Sequence, residues 1–103
     1  MNEDFKDMLD RNGLTINSCN MVKYKEYWIA DFYGIKDNGE TQYLIAFKNS
    51  VKIKKREIRV EDLGKLANIN DLSKIEHHLQ NIILRIKKKE LSLKYLKLKK
   101  DFN

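Results

Sequence analysis

Residues 24–48 read YKEYWIADFYGIKDNGETQYLIAFK, and this stretch decides the fold. Asp37-Asn38-Gly39-Glu40 separates two runs rich in aromatic and β-branched residues, 24–35 and 41–48. Asn-Gly supplies the positive φ angles that a two-residue type I′ turn needs, so the stretch predicts a β-hairpin. Counting back from the turn sets Gly34 opposite Tyr43, Phe32 opposite Ile45 and Ala30 opposite Phe47. Because side chains alternate along a strand, one face collects Trp28, Ala30, Phe32, Tyr43, Ile45 and Phe47 as the expected core. The other carries Tyr27, Ile29, Tyr33, Leu44 and Ala46. That face is too apolar to be left to water, which predicts cover by a helix or a partner.

Before the hairpin, Asn2 followed by Glu3 and Asp4 reads as a helix cap with acids in the first turn, and Asn12-Gly13 reads as the stop. The short helix between them offers Phe5, Met8 and Leu9 to a core. Leu14-Thr15-Ile16 can start a strand.

After the hairpin, Val51-Lys52-Ile53 keeps strand alternation. The apolar phase then changes across Lys54-Lys55-Arg56-Glu57 before Ile58 and Val60 resume it, which predicts a bulge or a tight turn. Residues 61–67 read as a short helix and 68–70 as a break. From Asn70 a longer helix is expected, with Leu72, Ile75, Leu79, Ile82, Ile86, Leu93 and Leu96 at three- and four-residue spacing, interrupted by Lys89. Continued to Lys100, it has about 30 residues and spans roughly 45 Å, longer than a small sheet can cover. Residues 71–86 are therefore expected in the core, and 87–100 to protrude or meet another molecule. Leu84, Leu91 and Leu98 recur every seven residues on the far side. Leu91, Leu93 and Tyr95 also alternate like a strand, which leaves helix continuity past Glu90 open.

The expected fold is α+β. A small antiparallel sheet of three or four strands, built on the central Asn-Gly hairpin, is flanked by a short N-terminal helix and a long basic amphipathic C-terminal helix over 70–100. The 103 residues contain no Pro, no Gly/Ser-rich linker and no repeat, so 1–103 is read as a single domain. The helix, three strands, helix order resembles that of double-stranded-RNA-binding domains. The resemblance covers element order alone, because the basic stretch lacks the glycine-containing lead-in to the helix found in that family.

Charge divides unevenly: residues 1–50 carry six Lys/Arg against eight Asp/Glu, and residues 51–103 carry fifteen against seven. A basic half of this kind is the electrostatic footprint for a polyanion, because clustered cations displace counterions from a phosphate backbone. Lys outnumbers Arg 17 to 4, which favours phosphate contacts over base reading but also fits a merely solubilising surface or AT-rich coding. The expected contacts are Lys52, Lys54, Lys55, Arg56 and Arg59 on one element, and Arg85, Lys87, Lys88, Lys89, Lys94 and Lys97 on the helix. Nucleic acid or a ribonucleoprotein is the expected partner.

Catalytic chemistry finds little purchase. His77 and His78 are adjacent, so on a helix they diverge by about 100° and cannot share a metal. Cys19 has no positioning motif around it, and a lone Cys is usually a small buried hydrophobe. The glycines at 13, 34, 39 and 64 are too scattered for a phosphate loop. No catalytic residue, metal site or cofactor is assigned, although nuclease activity is not excluded.

The sequence therefore suggests a non-enzymatic nucleic-acid-binding or nucleoprotein-binding accessory protein. The alternative is a small phage or mobile-element inhibitor or adaptor, anti-CRISPR-like, that blocks a host enzyme by protein contact. Its interface would use Tyr27, Tyr33, Leu84, Leu91 and Leu98; the C-terminal helix could also serve a homodimer, although Lys89 and the local positive charge oppose a parallel one and favour an antiparallel pair or an acidic partner. With no run of 18 apolar residues, an acidic opening and one cysteine, a cytoplasmic protein without membrane contact is expected.

Overall fold

The computed structural model describes residues 3–68 and 70–101, excluding the side chains of residues 37, 65 and 99–101. In chain order the elements are α1 (Glu3–Arg11), β1 (Leu14–Ile16), β2 (Met21–Tyr24), β3 (Tyr27–Asp37), β4 (Glu40–Lys54), β5 (Glu57–Asn68) and α2 (Leu72–Asp101). The five strands form one antiparallel meander in sequence order. Both helices pack on one face of it, where Phe5, Met8 and Leu9 of α1 meet Ile75, Leu79, Ile82, Ile83 and Ile86 of α2. The α+β architecture is as expected, with more strands than expected.

The central hairpin follows the Asn-Gly signal. Asn38 and Gly39 have φ of 51° and 81°, and the register pairs Gly34 with Tyr43, Phe32 with Ile45 and Ala30 with Phe47. Its first strand begins at Tyr27 rather than Tyr24, however, because a tight turn at Lys25-Glu26, with Lys25 at φ 54°, folds β2 back on β3.

A bulge then reverses the expected faces in β3. Val22 pairs with Ala30 and Lys23 with Trp28, which leaves Ile29 as an extra residue and moves the side chains before it to the other face. Ile29 is therefore fully buried and Tyr27 packs against the core, whereas Trp28 lies outside the core cluster. Tyr43, also expected in the core, stacks on Phe32 at the rim and stays 41% exposed.

Residues 61–67 form strand, not helix. β4 runs fifteen residues to Lys54, and its free edge offers hydrogen-bond partners that outweigh the weak local helix signal. Lys55 and Arg56 make the tight turn with φ of 52° and 64°. On the return, β5 has one residue more than β4 between Leu63 and Leu66, a bulge close to Asp62 at φ 63°. A Cβ at Gly64 would stand 2.6 Å from Asn49 Nδ2 and 3.2 Å from Asn49 Cβ, so the Asn49 side chain over this position favours glycine. With five strands between the helices, the resemblance in element order to double-stranded-RNA-binding domains does not hold.

Gly13 at φ 69° closes α1, as the sequence predicts; the cap expected at Asn2 lies outside the described residues. α2 starts at Leu72, because Asp71 rather than Asn70 caps it: the Asp71 carbonyl accepts from Ile75 N at 3.1 Å and its carboxylate from Lys74 N at 3.5 Å. The helix continues without a break through Leu91, Leu93 and Tyr95. Glu76 fastens it to the end of α1, accepting from Arg11 Nε and Nη2 at 3.1 and 3.0 Å and from Asn12 Nδ2 at 2.6 Å. The outcome is elongated, 63 × 24 × 23 Å.

Candidate nucleic-acid interface

Beyond the bulges, strand parity decides where each basic side chain points. Val51 is buried and Ile53 half-buried beneath α2, so Lys52 and Lys54 project from the opposite, uncovered face. Arg59 stands directly across from Lys52 and shares that face. Lys55 and Arg56 occupy the turn at the tip and are exposed. The five strand-borne residues singled out in the sequence thus gather on the outer face and tip of the β4–β5 arm. Two carboxylates accompany them: Glu57 opposite Lys54 binds Arg59 Nη2 at 3.0 Å, and Glu61 lies opposite Ser50.

The helical set sits in the other layer. Arg85 donates from Nη2 to the Asn49 carbonyl at 3.2 Å and so ties α2 to β4. Lys87 and Lys94 line an open groove together with Tyr27, Ile58 and Leu93, Lys89 is half-buried, and Lys88 and Lys97 are exposed. The sheet separates these six residues from Lys52, Lys54 and Arg59, so the eleven do not form one patch. The five proposed protein contacts also divide. Tyr33 is on the outer face, Tyr27 borders the groove, and Leu84, Leu91 and Leu98 are exposed along α2.

Two residues of the outer face escaped the sequence reading. Lys48 is buried at 9% exposure with its ammonium over the Trp28 ring, and Lys23 pairs with Trp28 across the bulge. The signal for Lys48 was available, since it shares strand parity with Lys52 and Lys54. Tyr33 and Asp31 complete the neighbourhood, the Tyr33 hydroxyl donating to Asp31 Oδ2 at 3.2 Å. Desolvation and the adjacent carboxylate push the Tyr33 phenol above its ordinary pKa.

No family model matches this sequence, and no curated protein or solved structure does. Among the described residues no group of three or more His, Cys, Asp and Glu side chains is placed to hold a metal. Cys19 is exposed in the β1–β2 turn, not buried, while His78 stacks on Phe47 with ring centroids 4.8 Å apart. No described helix is long and apolar enough to cross a membrane. What the outer arm offers chemically is a cluster of cations on a two-stranded ribbon.

Proposed function

We propose that this chain is a non-enzymatic accessory protein that binds nucleic acid through the outer face and tip of the β4–β5 arm. The observation that carries the reading is the convergence of Lys52, Lys54, Lys55, Arg56 and Arg59 at one exposed end of the sheet, produced by strand parity and a tight turn. Paired β-strands fit the width of a duplex major groove. Three of the five cations are lysines, point charges suited to phosphate oxygens, and Arg59 is already engaged by Glu57. Contacts to the backbone are therefore favoured over readout of bases.

A salt titration tests the reading. Five phosphate contacts on a generic duplex give a log–log slope of affinity against salt near about −4.5. Replacing Lys54, Lys55 and Arg56 together by alanine should bring the slope to about −1.8, with the fold intact by circular dichroism. A slope near zero for the native chain, or one that the triple variant leaves unchanged, refutes the assignment.

A further inference from the structure

α2 outruns the fold it covers. Full burial along it ends at Ile86, whereas Leu84, Leu91, Tyr95 and Leu98 are 50%, 67%, 67% and 53% exposed. At 100° per residue these four side chains fall within a sector about 60° wide, on the side of the helix away from the sheet. Basic residues flank the row: Lys87 and Lys94 on one side, Lys88 on the other. Beside Lys87 and Lys94 runs the groove floored by Tyr27, Ile58 and Leu93, with Leu91 also in its lining. Glu90, the one acid between Leu84 and Leu98, is bound by Lys25 Nζ at 3.0 Å.

We propose that this face of α2 docks an acidic amphipathic helix of a partner protein. The partner's apolar stripe covers Leu84, Leu91, Tyr95 and Leu98, and carboxylates beside that stripe meet Lys87, Lys88 and Lys94. Charge selects this occupant. Between Leu84 and Leu98 lie six basic residues and one acid, so a second copy of this chain would set like charge against like along the whole contact. Nucleic acid would satisfy the lysines but brings no apolar surface to cover an exposed row of leucines and tyrosine. An acidic amphipathic helix does both. Because α2 covers the inner face of the sheet and Lys52, Lys54 and Arg59 project from the outer one, this docking leaves the outer-face part of the proposed duplex site uncovered.

The test uses the full chain and a synthetic helix of three heptads, with leucine at the a and d positions and glutamate at e and g. Its control is a peptide of the same composition with the leucines redistributed so that no stripe forms. Saturable binding of the striped peptide is expected, at least ten-fold tighter than the control. Leu91→Ser with Leu98→Ser should weaken it ten-fold or more, and so should Lys87→Glu with Lys94→Glu. Duplex binding by the leucine variant should stay within two-fold of native. All four positions are exposed, and circular dichroism of each variant verifies the helix. Equal binding of both peptides, or none, overturns the proposal. So does sedimentation showing a dimer of the chain that the leucine variant abolishes, which would make a second copy the occupant. Loss of duplex binding in the leucine variant would also overturn it, by placing nucleic acid on this face.

Discussion

The Lys48 ammonium lies 3.6 Å from the centroid of the Trp28 ring, and Lys48 is nevertheless a buried residue. The indole is held edge-on as well, its Nε1 donating to the Ala30 carbonyl at 3.0 Å and to Asp31 Oδ1 at 2.7 Å. A cation that has lost much of its water is here compensated by a ring fixed in place, a contact worth about 0.5–2 kcal/mol. Trp28→Leu removes the ring and leaves the charge under-compensated, so a loss of about 2 kcal/mol or more is expected. Adding Lys48→Met should restore part of it, with a coupling near 1 kcal/mol in a double-mutant cycle followed by urea unfolding. Strictly additive losses would mean that ring and ammonium are neighbours without an energetic link.

Gly39 and Gly34 lie five residues apart in the same hairpin and should respond oppositely to a side chain. Gly39 has φ of 81°, which β-branched residues resist, so Gly39→Val should destabilise by more than about 1 kcal/mol. At Gly34 a Cβ would meet the Tyr43 ring at 3.5 Å, an ordinary contact, and Gly34→Ala should be neutral or gain up to about 1 kcal/mol by restricting the unfolded chain. Chemical denaturation of the two variants side by side checks the turn, and equal losses would contradict it.

Part of this hairpin was legible in the sequence. The Asn38-Gly39 turn and the register of β3 on β4 follow from local chemistry, because Asn-Gly strongly favours positive φ at two adjacent positions and a two-residue turn then sets the pairing. The turn at Lys25-Glu26 carries no such residues and was missed; Lys25 adopts positive φ because the strands on either side impose it. The bulge at Ile29 was likewise hidden. A two-residue alternation read from the sequence cannot show where a partner strand is one residue short, and that single residue moved Tyr27 and Ile29 into the core and Trp28 out of it. Residues 61–67 read as helix because Glu61, Leu63, Lys65, Leu66 and Ala67 tolerate one, whereas a long-range ladder on β4 decided the outcome. The candidate arm was half legible. Its basic residues were evident, but their gathering on one face and their separation from the lysines of α2 depend on the sheet lying between them.

The clamp between α1 and α2 predicts an acid-sensitive contribution to stability. Hydrogen bonds from Arg11 and then Asn12, with the Arg11 charge adding to them, hold Glu76 below the usual carboxylate range. A group whose pKa is lowered by folding contributes stability above its unfolded value, near 4.3 for glutamate, and loses it as the pH falls through the folded value. Glu76→Gln keeps the shape and one acceptor but not the charge. The variant should therefore be less stable than the native chain by a constant margin from pH 7 to about 5, a margin that closes as the acid range is entered below about 4. Melting curves across that range decide it, and a margin that persists at the lowest pH would show that the carboxylate charge is not what joins the helices.

The tip of the arm combines a local strain with the proposed contact. Lys55 and Arg56 both occupy positive φ, at 52° and 64°, where Asn and Gly are the residues a type I′ turn prefers. Long side chains at these two positions cost stability, about 2 kcal/mol or more in total, and strain of this kind clusters at functional sites. Lys55→Asn with Arg56→Gly should therefore raise the midpoint of unfolding while weakening duplex binding and reducing the magnitude of its salt slope by about 1.8, the share of two phosphate contacts. The two effects have opposite signs, so one variant separates the explanations. A chain that gains stability and binds duplex as well as before would show that the turn is merely strained. A chain that loses both would show that Lys55 and Arg56 hold the arm together rather than present it to a phosphate backbone.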